Sequence, residues 1–144
     1  MIMTMNITSR DNKILKHTKK LALHNYRQKS GEFVAEGERL CREALEYVNS
    51  DILYAIVTLD FLTNNLDFQK KLDDLGIRIY TVSDDLFKTV SQTTTPQGVL
   101  FVIRRRDDHS CELSKSRILI LDGISEPGNM GTNISQEYLT IKSP

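Results

Sequence analysis

The chain has 144 residues, 40% of them apolar, which is enough for one hydrophobic core and ordinary for a globular protein. Lys and Arg number 19, as do Asp and Glu, so no bulk charge points to nucleic acid or to a membrane surface. MIMTMNIT at the start lacks the apolar core of a signal peptide, and no run approaches the roughly 20 apolar residues of a membrane span. We therefore expect a cytoplasmic protein with no membrane role.

The first predicted helix spans residues 11 to about 26 and is basic on one side. A core-facing stripe at helical spacing is predicted for Ile14, Leu15, Thr18, Leu21, Ala22 and Tyr26. At about 100° per residue, the opposite side collects Lys13, Lys16, Lys20 and Arg27, with His24 at its margin. Such a face can bind phosphate even in a neutral chain, although a merely solvated lysine-rich face is a common alternative.

Short strands and helices then alternate. Gly31 interrupts the basic helix, and residues 32–36 predict a short strand. A helix that stops at residues 49–51 is indicated by the apolar period of Leu40, Cys41, Ala44, Leu45 and Val48. Residues 52–58 are almost wholly apolar, which is typical of an interior strand.

The same alternation continues to residue 103. Residues 65–75 predict a helix ended by Gly76, and residues 77–82 predict a strand. Ser83 is a candidate N-cap for a short helix that carries Leu86, Phe87 and Val90. A loop over 91–98, a strand over 99–103 and an exposed linker from 104 follow. The pattern favours a three-layer α/β domain in which helices cover a small central sheet.

The stretch ILILDGISEPGNMGT, residues 118–132, combines a predicted buried strand over 118–121 with a glycine-containing loop. Ligands of α/β proteins usually lie at the carboxyl ends of such strands. Composition alone leaves an ordinary surface loop as an equal alternative.

The residues of three separated segments favour a ligand-binding loop over an ordinary surface loop. LDGISEPGNMGT closely resembles the first conserved motif of the SpoU-type RNA 2'-O-ribose methyltransferases, which are TrmH-like members of the SPOUT class. The residues upstream that also fall in the family's pattern are Ser9, Asn12, Lys16, Leu21, Arg27, Gly31, Phe33, Glu36, Gly37 and Arg39. The tripeptide PQG at 96–98 is a further signature. The three motifs stand in family order and together cover nearly all of residues 7–132.

The resemblance implies an L30e/L7Ae-like RNA substrate-binding domain over residues 7–103, a linker over 104–116 and the start of the methyltransferase domain over 117–132. In the family an arginine stands four positions after Gly131, where this chain has Ser135. The later motifs, which form the knotted S-adenosylmethionine pocket, are absent, and residues 133–144 look unrelated. We therefore expect a truncated enzyme. S-adenosylmethionine is the cofactor of the full-length family, whereas for this chain alone we expect no cofactor and no activity.

The resemblance also implies an active-site loop at Gly128, Asn129 and Gly131, without a complete catalytic set. Basic and amide side chains hold RNA through its phosphates, 2'-hydroxyls and base edges. Our RNA-binding candidates are Lys13, Lys16, Lys20, Arg27, Lys29, Arg39 and Gln97. Arg39 could equally pair with Glu36 or Glu43, and Pro96 to Gly98 could simply shape a turn.

No metal site is predicted. His17 and His24 lie seven residues apart on the predicted helix without a third ligand, so surface histidines are the favoured interpretation. Cys41 and Cys111 lack a CxxC-type companion, which argues against a zinc site or a disulfide framework. Cys41 falls in an apolar stripe and is expected in the core.

The sequence therefore favours the recognition part of an RNA 2'-O-ribose methyltransferase, with structured ribosomal RNA as the substrate and transfer RNA as the alternative. Two other hypotheses stay open. The chain could be a free L7Ae-like RNA-binding module, or a fragment without selected function whose exposed strand over 118–121 promotes aggregation. Full-length relatives dimerise through the catalytic domain, so the oligomeric state of this chain is open.

Overall fold

A five-stranded mixed sheet with helices on both faces is formed by residues 4–106, the part of the chain that the computed structural model describes. The strands are β1 (Thr4–Asn6), β2 (Glu32–Glu36), β3 (Ile52–Thr58), β4 (Ile79–Val82) and β5 (Val99–Arg104). The helices are α1 (Lys13–Lys20), α2 (His24–Ser30), α3 (Glu38–Tyr47), α4 (Leu59–Asn64), α5 (Leu66–Asp74) and α6 (Asp84–Val90), with a 3₁₀ turn at Asn49–Asp51. The predicted three-layer α/β architecture is confirmed.

The strand order is β1-β4-β3-β5-β2. β1, β4 and β3 are parallel, and β5 runs antiparallel to both β3 and β2. The carboxyl ends of β1 to β4 and the start of β5 therefore meet along one side of the sheet, which we call the carboxyl edge. This edge carries the residues around 7–10, 36–39, 58–60, 83–85 and 97–98.

Two buried clusters, one on each face of the sheet, form the core. On one face α3, α4 and α5 contribute residues such as Cys41, Phe61 and Phe68. On the other face α1 and α6 contribute residues such as Leu15 and Phe87. β3 supplies alternate residues to both clusters, which is why its sequence is almost continuously apolar. Within residues 4–106, no helix has the length and apolarity to cross a membrane.

The predicted single helix over residues 11–26 is wrong, because the chain forms two helices there. The backbone amide of Leu21 donates to the carbonyls of both His17 and Thr18, which tightens and ends α1. Leu23 is then extended, with φ −83° and ψ 125°, and α2 begins at His24. The core-facing period survives as far as the buried Leu21, whereas Ala22 and Leu23 are exposed. Hydrophobic spacing alone does not predict such a break, since residues 21–23 are all of types that occur readily in helices.

Other differences are local. β1 and α4 were not predicted, and Leu40, expected on the core face of α3, is 48% exposed. β5 extends to Arg104, and the backbone amide of Arg105 donates to the carbonyl of Gly31 at 2.7 Å. The Arg106 guanidinium donates to the side chains of Asp51 and Ser50. These three arginines therefore belong to the domain rather than to the predicted linker, and residues 107–116 lie outside the described residues.

Three helices begin with side-chain N-caps. Asn12 Oδ1 accepts from the backbone amide of Ile14 at 2.8 Å, and Thr58 Oγ1 accepts from that of Phe61 at 3.3 Å. Ser83 Oγ accepts from the amide of Leu86 at 3.3 Å, which confirms the predicted N-cap of α6. Each cap satisfies an amide that has no partner inside its helix.

Gly98 stands where only glycine fits. Its φ is +78°, and a Cβ at this position would lie 2.4 Å from Thr58 Oγ1. The approach is close because the amide of Thr58 donates to the carbonyl of Gly98 at 2.9 Å, which pairs the end of β3 with the start of β5. Gly76 also has a positive φ, +67°, but a Cβ there would meet nothing within 4 Å.

These two glycines provide a matched pair for a stability measurement. We expect Gly76→Ala to lower the free energy of unfolding by about 1–2 kcal/mol, because a left-handed conformation costs a residue with Cβ about that much. Gly98→Ala has the same conformational cost, and its methyl group also collides with Thr58. We therefore expect it to lower the free energy of unfolding by about 1–3 kcal/mol more than Gly76→Ala does. Urea unfolding of both variants measures the difference. Equal losses would show that the contact with Thr58 relaxes freely.

Cys41 lies in the core, as predicted, with 0% of its surface exposed. Its thiol donates to the carbonyl of Ala35 at 3.4 Å. Burial raises the pKa of Cys41 from 9.0 to about 12, and the nearby negative charge of Glu36 adds to the rise. The thiolate, which is the reactive form of cysteine, is therefore strongly disfavoured at neutral pH.

Thiol reactivity tests this placement. In a Cys111→Ser variant Cys41 is the remaining thiol of the chain. We expect it to react with a disulfide reagent at neutral pH at least a hundredfold more slowly in the folded protein than in urea, because each pKa unit lowers the thiolate fraction about tenfold. Rapid labelling of the folded variant would contradict the burial of Cys41.

Candidate nucleic-acid interface

α1 presents lysines on the side that faces away from the core. Leu15 and Thr18 are buried against the sheet, whereas Lys13, Lys16 and Lys20 are exposed, as the helical period predicts. Lys19, which the sequence analysis did not single out, is exposed as well, and so is the candidate Lys29 on α2. We refer to the exposed lysines 13, 16, 19, 20 and 29 as the lysine surface.

The segment that carries the lysine surface is poor in acidic residues. Residues 10–30 contain seven of the 19 basic residues and one carboxylate, Asp11. The Lys16 ammonium lies 2.8 Å from Asp11 Oδ1, and its hydrogen bond and charge hold the pKa of Asp11 below its usual value. Both side chains are mostly exposed, so this pair contributes little to stability and can open towards another anion. The local excess of positive charge suits a polyanion.

Arg27 is turned towards the protein backbone rather than towards solvent. Its Nη1 donates to the carbonyl of Leu21 at 2.9 Å and to that of Ala22 at 2.8 Å. These carbonyls lie at the end of α1, where the last carbonyls of a helix have no backbone amide of the same helix to accept from. Arg27 therefore clamps the turn between α1 and α2, and among the predicted RNA-binding residues it is the one most engaged in the fold.

A hydrogen-bonded network joins α1, α2 and β2. His17 Nδ1 lies 2.8 Å from the Tyr26 hydroxyl, and its Nε2 lies 2.5 Å from the Glu32 carboxylate. The His17 and Tyr26 rings also meet edge to face, with centroids 5.5 Å apart. His17 is half-buried, so the prediction of a surface histidine is wrong for it, whereas His24 is exposed as predicted. The sequence carried no signal for this network because its members are 9 and 15 residues apart.

The two other candidates, Arg39 and Gln97, lie together at the carboxyl edge. Both line an open cleft of about 310 Å³ with Gly37 and Leu40. The Gln97 Oε1 accepts from the backbone amide of Glu38 at 2.8 Å and so caps α3, whose N-cap residue Gly37 has no side chain to do it. Arg39 pairs with Glu43 at 3.3 Å and remains 94% exposed. Of the two predicted partners of Arg39, the structure selects Glu43.

Glu36 organises the loop that leads to Gln97, a role that the sequence analysis missed. Its carboxylate accepts from the Ser91 hydroxyl, from the backbone amide of Gln92 at 2.8 Å and from the Thr93 hydroxyl at 2.9 Å. Further acidic side chains at the same edge, Asp60 and Asp84, line a neighbouring cleft of about 380 Å³. The carboxyl edge is therefore richer in carboxylates than the lysine surface and less suited to phosphate.

The candidates thus form two separate groups. The His17–Glu32 contact places α1 and α2 near the start of β2, whereas Arg39 stands three residues after the end of β2. Within residues 4–106 no cluster of His, Cys, Asp and Glu could hold a metal ion. The predicted active-site loop, Gly128, Asn129 and Gly131, and the departure at Ser135 lie outside the described residues.

Known proteins are similar to this chain in sequence and in fold. The family described as MRM3-like substrate binding domain matches residues 12–100. The 23S rRNA (guanosine(2553)-2'-O)-methyltransferase RlmP of Bacillus subtilis is 33% identical over 128 residues, which are 89% of this chain and 48% of that protein. This chain thus spans about half the length of that relative.

Solved structures resemble the fold as well, and two serve as examples. A crystal structure of an RNA 2'-O ribose methyltransferase matches with a TM-score of 0.61 and 24% identity over 90% of this chain and 49% of that one. The AdoMet-bound rRNA methyltransferase of Sinorhizobium meliloti matches with a TM-score of 0.58 and 22% identity over 72% of this chain and 37% of that one. At this identity the structures support the fold, and the sequence match over residues 12–100 establishes the family. The chain belongs to the MRM3-like substrate-binding domain family of the SpoU-type methyltransferases.

Proposed function

We propose that residues 4–106 are the RNA-recognition domain of a 2'-O-ribose methyltransferase that acts on ribosomal RNA, and that the lysine surface holds the RNA backbone. The observation that carries the proposal is the concentration of exposed lysines on α1 and α2, within residues 10–30, a segment that holds one carboxylate, Asp11. The relationship to RlmP, named as a 23S rRNA methyltransferase, supports ribosomal RNA as the substrate.

The lysine surface would supply affinity rather than sequence recognition. Each ammonium that approaches a phosphate releases condensed counterions, which makes binding strong at low salt and weak at high salt. Structured RNA is recognised largely by the shape of its backbone, so a rigid helix surface with regularly spaced cations is a suitable receptor. The domain would thereby hold one nucleotide in register for methyl transfer.

The methyl donor belongs to another part of the enzyme in this proposal. S-adenosylmethionine supplies the methyl group in the family, and the matched Sinorhizobium meliloti structure is AdoMet-bound. Residues 4–106 contain none of the residues that the resemblance assigns to the methyltransferase domain. We therefore derive no step of the transfer from this domain and assign to it the binding and orientation of RNA.

A charge-matched pair of variants tests the proposal. Lys16→Ala/Lys20→Ala removes two lysines from the lysine surface, and Lys70→Ala/Lys71→Ala removes two exposed lysines from α5 on the opposite face of the sheet. Binding of the purified chain to ribosomal RNA fragments is measured across a salt series, with a DNA duplex as a control ligand. We expect only the first variant to bind RNA more weakly, with a salt slope reduced by roughly 0.7–0.9 for each lost phosphate contact.

Equal weakening by both variants would show that overall charge, and not the lysine surface, determines binding. Absence of RNA binding by the folded wild-type chain at low salt would contradict the proposal itself. Equal affinity for RNA and DNA would leave an electrostatic surface without the selectivity that a substrate-recognition domain requires.

A second pair separates RNA contact from support of the fold. We expect Arg27→Ala to lower the free energy of unfolding by about 1 kcal/mol or more, because two carbonyls lose a charged hydrogen-bond donor. Lys29→Ala, on the same helix, should change stability by less than about 0.5 kcal/mol and should weaken RNA binding instead. Thermal or urea unfolding and RNA titration of both variants provide the comparison. The reverse pattern would show that the clamp by Arg27 is dispensable.

A further inference from the structure

An open cleft of about 390 Å³ lies beside the turn between α1 and α2. Its lining residues are Leu23, His24, Asn25, Tyr26 and Lys29. It adjoins the lysine surface, because Lys29 is one of its walls and Lys20 lies over the ring of Tyr26. We refer to it as the α2 cleft.

Three side chains in the walls of the α2 cleft are exposed and available to a ligand. Leu23 is 62% exposed and adds apolar surface to one wall of the cleft. His24 and Asn25 are exposed too. Within residues 4–106, the side chains of these three residues make no hydrogen bond, ion pair or ring contact. An apolar side chain, an imidazole ring and an unengaged amide are thus displayed side by side.

The back wall, Tyr26, is held by hydrogen bonds, in contrast. The Tyr26 hydroxyl lies 2.8 Å from His17 Nδ1, and His17 is in turn held by Glu32. The ammonium of Lys20 lies 5.8 Å from the centre of the Tyr26 ring, within the range of a cation–π contact. Tyr26 is therefore held by contacts within the domain, which lowers the cost of ordering it when a ligand binds.

We propose that the α2 cleft receives one unpaired base of the RNA whose backbone the lysine surface holds. The inference rests on the proposed function and adds a feature of the substrate, a base that is unpaired and turned out of a helix. A base would pack its face on Leu23 and the His24 ring, and the Asn25 amide would hydrogen-bond to its edge. Lys20 and Lys29 would contact the phosphates on either side.

The surrounding charge favours RNA over a protein partner as the occupant. A protein that docks on an apolar patch needs a large and largely uncharged interface, whereas the α2 cleft is small and flanked by lysines. A single base combines an apolar face, a polar edge and adjacent negative charge. These are the three properties that the walls of the cleft complement.

Two RNAs with equal numbers of phosphates distinguish the cleft from the lysine surface. One is a hairpin with an unpaired loop, and the other is a continuous duplex. The cleft variant is Leu23→Ala/Asn25→Ala, and its matched control is Leu66→Ala, which removes a similarly exposed leucine from α5. We expect the cleft variant to lose roughly fivefold or more in affinity for the hairpin, since it removes the apolar contact of one side chain and the hydrogen bond of another. Its affinity for the duplex and its salt slope should not change.

A measurement on the wild-type chain makes the test independent of the folding of the variant. A fluorescent purine analogue is placed once in the loop and once in the stem of the hairpin. Docking in the α2 cleft should change its emission in the loop and leave its emission in the stem unaltered. Equal changes at both positions would overturn the inference.

The outcomes also separate the inference from the proposed function. If Lys16→Ala/Lys20→Ala weakens both RNAs while the cleft variant binds both like the wild type, the lysine surface is established and the base site is refuted. A cleft variant that weakens hairpin and duplex equally refutes the base site as well. If the wild-type chain binds neither RNA, the proposed function fails and the base site fails with it.

Discussion

The start of β5 is the constraint on which the arrangement of the domain depends. The carbonyl of Gly98 accepts from the amide of Thr58, and the carbonyl of Val99 accepts from that of Gly37. The neighbouring Gln97 caps α3 through the amide of Glu38. Three consecutive residues therefore bind the ends of β2 and β3 and the beginning of a helix. Because β5 joins the parallel strands to β2, an error in register at this point would displace β2 and the helix network attached to it.

The lysine surface depends on a second, smaller constraint at the other end of β2. A continuous basic helix would have carried Arg27 and Lys29 onward along the axis of α1. The turn at residues 21–23 instead directs α2 back towards β2, and two groups hold it there: the Arg27 guanidinium on the carbonyls of the turn, and His17 between Tyr26 and Glu32. Arg27 is engaged by backbone carbonyls, whereas the lysines around it stay exposed to solvent.

Sequence patterns predicted most of this fold because burial follows periodicity. β3, α3, α5, α6 and β5 each show the spacing of their core-facing residues, and the N-cap Ser83 marks the start of α6. The sequence patterns did not predict the turn at Leu23, because its residues are all compatible with a helix. The contacts of α1 and α2 with β2 impose the break. Gln97 shows the limit for the site: its cap on Glu38 spans 59 residues of sequence, so composition could not distinguish it from a substrate contact. Short elements such as β1 and α4 carry too few residues to form a pattern.

The candidate RNA-binding residues lie in two groups whose electrostatic surroundings differ. Strand β2 has five residues, so roughly 15 Å lies between the group at its start and the group at its end. At its end, Arg39 is paired with Glu43 and stands near Glu36, so the cation that it offers is largely balanced. At its start, the nearby carboxylate Glu32 is engaged by His17, and the lysines of α1 and α2 keep a net positive field. A polyanion gains free energy from an unbalanced field and little from a balanced one. The proposed phosphate contacts therefore fall on the helices. In the PQG segment at the carboxyl edge, Gly98 permits the approach to Thr58 and Gln97 caps α3.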